Sequence, residues 1–376
     1  MEGNIRIALV GVGAIGSKYA EMIVSGRVRN MVLAGLVARK QEAKTWAASL
    51  VTGDGIHPNV YVSVDEMFVH EEDFDAVLIA TPHKTHEEIA VRAFGLGKHV
   101  LCDKPAGATI GQAQRMLAEA RKHNKMYALA FQQRAQAKYR YIKQLLDKGE
   151  LGELKRALVV NSKYFRTAHY HKSGSWRSSW NGEGGGALIN QGAHILDMWQ
   201  WLLGMPCSLY ARIPFGKYND FNVDDEATIS MQYKDGMTGT FILTTGEAVG
   251  QERFEIVGTK GRILLEDNTL HIYRYSKDLQ EYMATEKVNS GENMGILEEM
   301  INFDKVKEPH GDILENFAEA VLAGDASLLI AQGEDGVNQL MLTNGAYYSA
   351  WKDMPVRLPL DAEEYENVFR EMCEAE

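Results

Sequence analysis

Ile5-Arg6-Ile7-Ala8-Leu9-Val10-Gly11-Val12-Gly13-Ala14-Ile15-Gly16, running on into residues 17–25, decides the reading of the fold. The opening Ile5 to Val10 is almost wholly apolar, as suits a strand buried on both faces of a parallel sheet. It enters a G-x-G-x-x-G turn (Gly11, Gly13, Gly16) and then a segment that reads as helix from Ser17 to Ser25. In such a turn the first glycine allows the tight bend. The second lets backbone approach a pyrophosphate, and the third lets helix and strand pack closely. The helix N-terminus then faces the phosphates. A glycine-rich turn alone is common, but between strand and helix it reads as a dinucleotide fingerprint.

The same alternation continues. A strand at Met31 to Val37 ends in Ala38-Arg39-Lys40. An enzyme dedicated to NAD carries an acid roughly 20 residues past the glycines for the ribose 2′-hydroxyl. Here Arg39 stands near that place and suits a 2′-phosphate, so the reading leans to NADP and leaves NAD open. A third strand, Asp75 to Ala80, stops at Thr81-Pro82-His83-Lys84-Thr85-His86, and residues 87–96 read as helix. His99 to Cys102 reads as strand, with Asp103-Lys104-Pro105 directly after it. Strands alternating with helices predict a doubly wound α/β sheet whose ligand lies at the carboxyl ends of the strands. Gly11, Arg39, Thr81 and Lys104 all follow such ends.

Length and composition bound the rest. A chain of 376 residues exceeds one ordinary core, so two domains are expected: a dinucleotide-binding domain over 1–131 and an α+β substrate and oligomerisation domain over 132–376. The net charge of -11 argues against nucleic acid and anionic membrane as partners. Three scattered cysteines suggest neither a disulfide framework nor a zinc cluster. The N-terminus lacks a basic stretch leading into an apolar run, and no run approaches the ~20 residues of a membrane span. The expectation is a cytoplasmic protein.

Beyond about Gln132 the pattern changes. Residues 157–165, 207–213, 227–233, 238–245, 253–257 and 262–266 are β-rich and predict a mostly antiparallel sheet. Residues 313–323 and 334–351 read as helices, whereas 286–307 show no periodicity and read as a loop or subunit contact. Tyr164, Arg166, Tyr170, Trp176 and Arg177 cluster in one segment. Aromatic faces interleaved with polar donors suit a polyhydroxylated ring, although Trp176 and Trp180 also suit a core. His169 and His171 have too few neighbours for a metal site, and no metal is expected. Gly182-Glu183-Gly184-Gly185-Gly186 leads into a helix carrying Asn190, His194 and Asp197 on one face.

With the TPHKTH, GKHVLCDKP and EGGGALINQGAH stretches in this order, the chain resembles the Gfo/Idh/MocA oxidoreductases, NAD(P)-dependent dehydrogenases of sugars and polyols. Its WRSSWNGEGGGALINQGAH stretch is most similar to the branch of pyranose and glycoside 3-dehydrogenases that includes levoglucosan dehydrogenase. The resemblance implies an N-terminal Rossmann sheet and a C-terminal α+β domain whose open-faced sheet joins a homo-oligomer. It places the lysine of the family's E-K-P motif at Lys104, with Asp103 in place of glutamate, and the helix histidine at His194. Asn190 stands where an aspartate is frequent. As cofactor contacts it implies Gly11, Gly13, Ala14, Ile15, Gly16, Ala38, Arg39, Thr81, Pro82, His83, His86, Asp103, Lys104, Gln133, Trp176 and Arg177. As substrate contacts it implies Lys104, Tyr164, Arg166, Tyr170, Trp176, Asn190 and His194. Hydride transfer from a secondary alcohol needs a base for the hydroxyl proton and positive charge for the alkoxide. His194 and Lys104 supply these, with either able to be the base, and Asn190 orients the sugar. Alternatives are a redox-neutral NAD-dependent glycoside hydrolase or eliminase, an inositol or polyol dehydrogenase, and a non-catalytic regulator.

Overall fold

The computed structural model describes residues 3–304 and 309–376. The chain divides into two compact units: Met1–Ala135 with Gly182–Gly184 and Glu308–Leu340, and Gln136–Asn181 with Gly185–Lys307 and Met341–Glu376. A single cut near residue 131 therefore does not describe the chain, because a late segment returns to the first unit. The reason is apolar. The helix His310–Ala323 inserts Ile313, Leu314, Phe317 and Ala318 into the core formed by Ile7, Leu9, Tyr19 and Leu33.

In the first unit, β1 (Ile5–Val10), β2 (Met31–Val37), β3 (Asn59–Tyr61), β4 (Ala76–Ile79), β5 (His99–Cys102) and β6 (Tyr127–Leu129) form one sheet in the order β3-β2-β1-β4-β5-β6. Every pairing in it is parallel. The strand order reverses between β1 and β4, the place where ligands of such sheets bind. The continuous apolar runs seen in sequence are buried throughout β4, and in β1 everywhere except Arg6, which pairs with Asp75 at 2.7 Å.

The second unit is built on β7 (Leu154–Asn161), β8 (Ser208–Arg212), β9 (Glu226–Gln232), β10 (Thr238–Thr244), β11 (Glu252–Gly258), β12 (Gly261–Glu266), β13 (Thr269–Tyr275), β14 (Ile296–Asn302) and β15 (Val356–Arg357). Their order is β14-β13-β12-β11-β7-β10-β9-β8-β15, antiparallel except for the β7/β10 pair. In β9, Ala227, Ile229 and Met231 are buried while Thr228, Ser230 and Gln232 are exposed, so one face is packed and the other open. The helices Ala137–Asp147 and Gly192–Leu203 meet in this unit. Trp199, fully buried, lies against the sheet over Gly239, where a Cβ would stand 2.3 Å from the indole.

Two expectations change here. Residues 286–307 contain β14, paired in register with β13, rather than a loop; residues 305–307 lie outside the described residues. As an edge strand exposed at nearly every position, β14 lacks the alternation that reveals a strand with one buried face. The helix after the glycines is two pieces, Ala187–Asn190 and Gly192–Leu203, although Gln191 between them keeps helical dihedrals (φ -72, ψ -40).

Candidate active site

In the first unit the glycine turn follows β1. Gly11 has φ +103, and a Cβ there would sit 2.5 Å from the Ala80 carbonyl oxygen. A Cβ on Gly16 would sit 1.9 Å from the carbonyl oxygen of Gly11. The fold itself demands these two. At Gly13 a Cβ would meet nothing within 4 Å, so no neighbour in the fold demands that glycine. Gly13 caps the helix Ala14–Val24, which has no side-chain cap and no acid in its first turn. Its leading N–H groups and the positive end of its dipole are thus directed at the turn, an arrangement that fits a pyrophosphate.

The ends of β2, β4 and β5 carry the other candidates. Ala38 is fully buried and donates its N–H to the Tyr61 carbonyl at 2.9 Å, while Arg39 is exposed beside it. Thr85 Oγ1 donates to the Pro82 carbonyl at 2.8 Å and shares a second hydrogen bond with Thr81 Oγ1 at 2.7 Å, bracing that loop. His86 is fully buried, with Nε2 2.7 Å from the Thr81 carbonyl and Nδ1 3.0 Å from the Pro105 carbonyl. Burial lowers its pKa, and the neutral ring carries one N–H, which suits the nearer Thr81 carbonyl. His83 is 5% exposed and reaches the Glu183 carbonyl at 2.8 Å, and Gln133 is buried just after β6. The Asp103 carboxylate accepts from Tyr19 Oη at 3.0 Å; burial raises its pKa, against the pull of Lys104 and His86. Lys104 is half-buried at the end of β5 and precedes a cis-proline. Among the described residues no group of three or more His, Cys, Asp or Glu is placed to hold a metal ion.

In the second unit Tyr170 is the hub. Its hydroxyl accepts from Arg177 Nη1 at 2.8 Å, Gln191 Nε2 at 3.0 Å and Asn190 Nδ2 at 3.4 Å. The guanidinium carbons of Arg166 and Arg177 lie 4.4 and 4.6 Å from its ring centroid. Arg177 also stacks on Trp176 at 4.6 Å, and Arg166 is 5.8 Å from the Tyr164 ring. Five of the expected substrate residues, Tyr164, Arg166, Tyr170, Trp176 and Asn190, are thereby brought together. His194 lies one helical turn beyond Asn190 and is half-buried. Asp197 is fully buried and accepts from Gln200 Nε2 at 3.0 Å. Trp180 belongs to the core, edge-on to Tyr347 and Trp351 at 5.0 Å each.

The glycines before this helix have an internal cause that sequence did not suggest. Gly184 and Gly185 have φ +86 and +144. A Cβ on Gly185 would stand 2.3 Å from Tyr347 Oη, and one on Gly186 would stand 2.0 Å from the Asp224 carbonyl oxygen. The fully buried Asp224 carboxylate accepts from Gly186 N at 2.8 Å, Leu188 N at 2.6 Å and Tyr347 Oη at 2.6 Å. Its backbone carbonyl accepts from Ala187 N at 2.9 Å. Burial raises the Asp224 pKa, and the three donated hydrogen bonds oppose the rise. Asp224, Tyr347 and Gln191 went unnoticed in the sequence. Asp224 and Tyr347 are 123 residues apart, and no spacing rule joins them.

The model of the oxidoreductase family with an NAD-binding Rossmann fold matches residues 5–131, and that of the GFO/IDH/MocA C-terminal domain matches residues 139–264. A trans-1,2-dihydrobenzene-1,2-diol dehydrogenase of Bos taurus is 26% identical over 267 residues, 70% of this chain and 74% of that protein. A levoglucosan dehydrogenase of Pseudarthrobacter phenanthrenivorans is 27% identical over 316 residues, 76% of this chain and 78% of that protein. The crystal structure of the WlbA dehydrogenase from Bordetella pertussis, in complex with NADH and UDP-GlcNAcA, superposes with a TM-score of 0.77 at 22% identity. That match covers 95% of this chain and 100% of the other.

Proposed function

The chain belongs to the Gfo/Idh/MocA oxidoreductase family, and we propose that it oxidises a secondary hydroxyl of a sugar or glycoside, on a pyranose ring and at C3, with NAD or NADP as acceptor. The observation that carries the reading is the convergence of Arg177, Asn190 and Gln191 on the Tyr170 hydroxyl, flanked by stacked aromatic and guanidinium planes. Such a surface meets the C–H faces of a pyranose and its hydroxyls together. The levoglucosan dehydrogenase among the relatives supports the same substrate class.

When bound, the nicotinamide supplies the hydride acceptor. The glycine turn and the helix Ala14–Val24 would hold its pyrophosphate, and Arg39 a 2′-phosphate. Ala38, Thr81, Pro82, His83, His86, Asp103, Lys104, Gln133, Trp176 and Arg177 complete the assigned cofactor contacts. His194 takes the hydroxyl proton, the imidazole being the side chain suited to accept a proton from a bound hydroxyl. Lys104 hydrogen-bonds the same oxygen and offsets its developing charge. Asn190, tied to Tyr170, orients the ring. We assign the open face of the second sheet, where Leu158, Val160 and Ile242 stay half-exposed, to contacts between copies of the chain.

The test is a screen of sugars, inositols and glycosides with NAD and NADP, following reduced cofactor. Lys104→Met and His194→Ala are expected to abolish turnover, ~10²-fold or more, while cofactor still binds. Turnover that survives either change defeats the assignment. Product forming without stoichiometric reduced cofactor would select the redox-neutral hydrolase or eliminase instead.

A further inference from the structure

We propose that Arg166 is the receptor for an anionic group on the substrate, so that the preferred sugar carries a carboxylate or phosphate. The identity of the ligand as a sugar rests on the function proposed above; its charge rests on Arg166 itself. Arg166 follows β7, and its backbone is pinned by an N–H bond to the Thr245 carbonyl at 2.9 Å. Its guanidinium is poorly partnered. Nη1 makes one long contact, 3.4 Å to the neighbouring Phe165 carbonyl, and Nε is buried without a hydrogen-bond partner among the described residues. No carboxylate among them lies within 4.0 Å. Other half-buried arginines of the same unit are paired: Arg253 with Glu255 and Glu266 at 2.8 and 2.7 Å, Arg274 with Glu150 and Glu299 at 3.0 and 2.7 Å. In a chain with 51 acids against 40 lysines and arginines, acids to pair with are abundant, and this arginine has none.

Its surroundings explain what it is held for. The Tyr170 ring lies 4.4 Å from the guanidinium carbon and that of Tyr164 5.8 Å; with Nε buried, the terminal Nη donors are the ones left to meet a planar oxyanion. Arg177 brings a second guanidinium to the same ring. His171 beside them is pushed below its ordinary pKa by burial, against the pull of Asp225 and with both arginines adding to the effect, so the neutral ring neither pairs with Arg166 nor adds positive charge. Asp225, on the next link through Thr245, is fully buried; its Oδ2 is committed to the N–H groups of Tyr218 and Asn219 at 2.8 and 3.0 Å, and its Oδ1 is buried and takes no hydrogen bond from Arg166. The other end of Tyr170 touches Asn190, one turn or ~6 Å of helix before His194. The anion is thus read on the same side chain that orients the ring.

Methyl glucuronide, glucose 6-phosphate and methyl glucoside, each with NAD and NADP, are compared by kcat/KM and by calorimetric Kd. The wild-type protein is expected to favour one of the two anions over the neutral glucoside by ~10-fold or more, and the favoured anion tells carboxylate from phosphate. A charge-assisted bond of this kind corresponds to ~10- to 100-fold. Arg166→Gln brings the ratio of acid to neutral sugar to about one. Arg166→Lys, which keeps charge without the fork, gives an intermediate ratio. A neutral sugar bound as well as the acids, or a ratio indifferent to Arg166→Gln, overturns the proposal. Acid sugars that bind through Arg166 without reducing either nucleotide would sustain it while defeating the dehydrogenase reading. Brisk oxidation of neutral sugars with no preference for acids would do the reverse.

Discussion

Asp224 shows how one buried carboxylate holds the start of a helix in place. A buried ionised acid is costly unless its oxygens are hydrogen-bonded, and here two backbone N–H groups and the Tyr347 hydroxyl between them bond both oxygens. The same N–H groups are the ones a helix start leaves unsatisfied, so the carboxylate caps the segment that carries Asn190 and His194. Asp224→Asn keeps one acceptor but turns an amide donor toward an N–H. It is expected to lower stability by ~1–3 kcal/mol and to reduce kcat further than it weakens cofactor binding, as read from urea midpoints and steady-state kinetics. A fall in nucleotide affinity matching the fall in kcat would argue that Asp224 does not act through the helix. Asp224 could not be read beforehand, because an acid before a strand is ordinary until its distant partners are known.

Among the elements, β5 illustrates a pH-dependent link. His99 opens the strand, and its Nδ1 accepts the Met126 N–H at 3.0 Å. Burial, with Lys125 adding, lowers its pKa from 6.5 to about 4. The unfolded chain therefore takes up a proton below pH 6.5 that the folded chain refuses until about pH 4. Stability from this group is complete above pH 6.5 and is lost as the pH falls between those values. It amounts to about 1–2 kcal/mol once solvent screening at a half-buried ring is allowed for. His99→Asn, which cannot titrate, should flatten this part of the urea-midpoint profile; an unchanged slope would assign the loss elsewhere. Strands with both faces buried, such as β1 and β4, were legible as apolar runs, and β9 as an alternation. β14 was not, since exposure on both sides removes the pattern.

For the whole molecule, nucleotide binding should be visible as stability. A ligand at 100 times its Kd adds ~2.7 kcal/mol to the state that binds it. With two compact units, unfolding need not be a single step, so the rise is expected in the transition of the unit that holds the glycine turn. If Arg39 reads a 2′-phosphate, NADP raises that midpoint more than NAD at equal concentration, and Arg39→Ala removes the difference in a calorimetric scan. Equal shifts in the unaltered protein would end the lean to NADP.

The sequence alone determined the doubly wound sheet, the glycine turn and the strand-end residues Arg39, Thr81 and Lys104. Each of these depends on local periodicity or on short spacings, which a chain carries in its order of residues. Tertiary structure alone decided why Gly185 and Gly186 must be glycines, that Tyr170 gathers Arg177, Asn190 and Gln191, and that residues 310–323 complete the first core. These depend on contacts between segments tens to hundreds of residues apart. Such contacts are set by which apolar surfaces close on each other, and no local pattern records them.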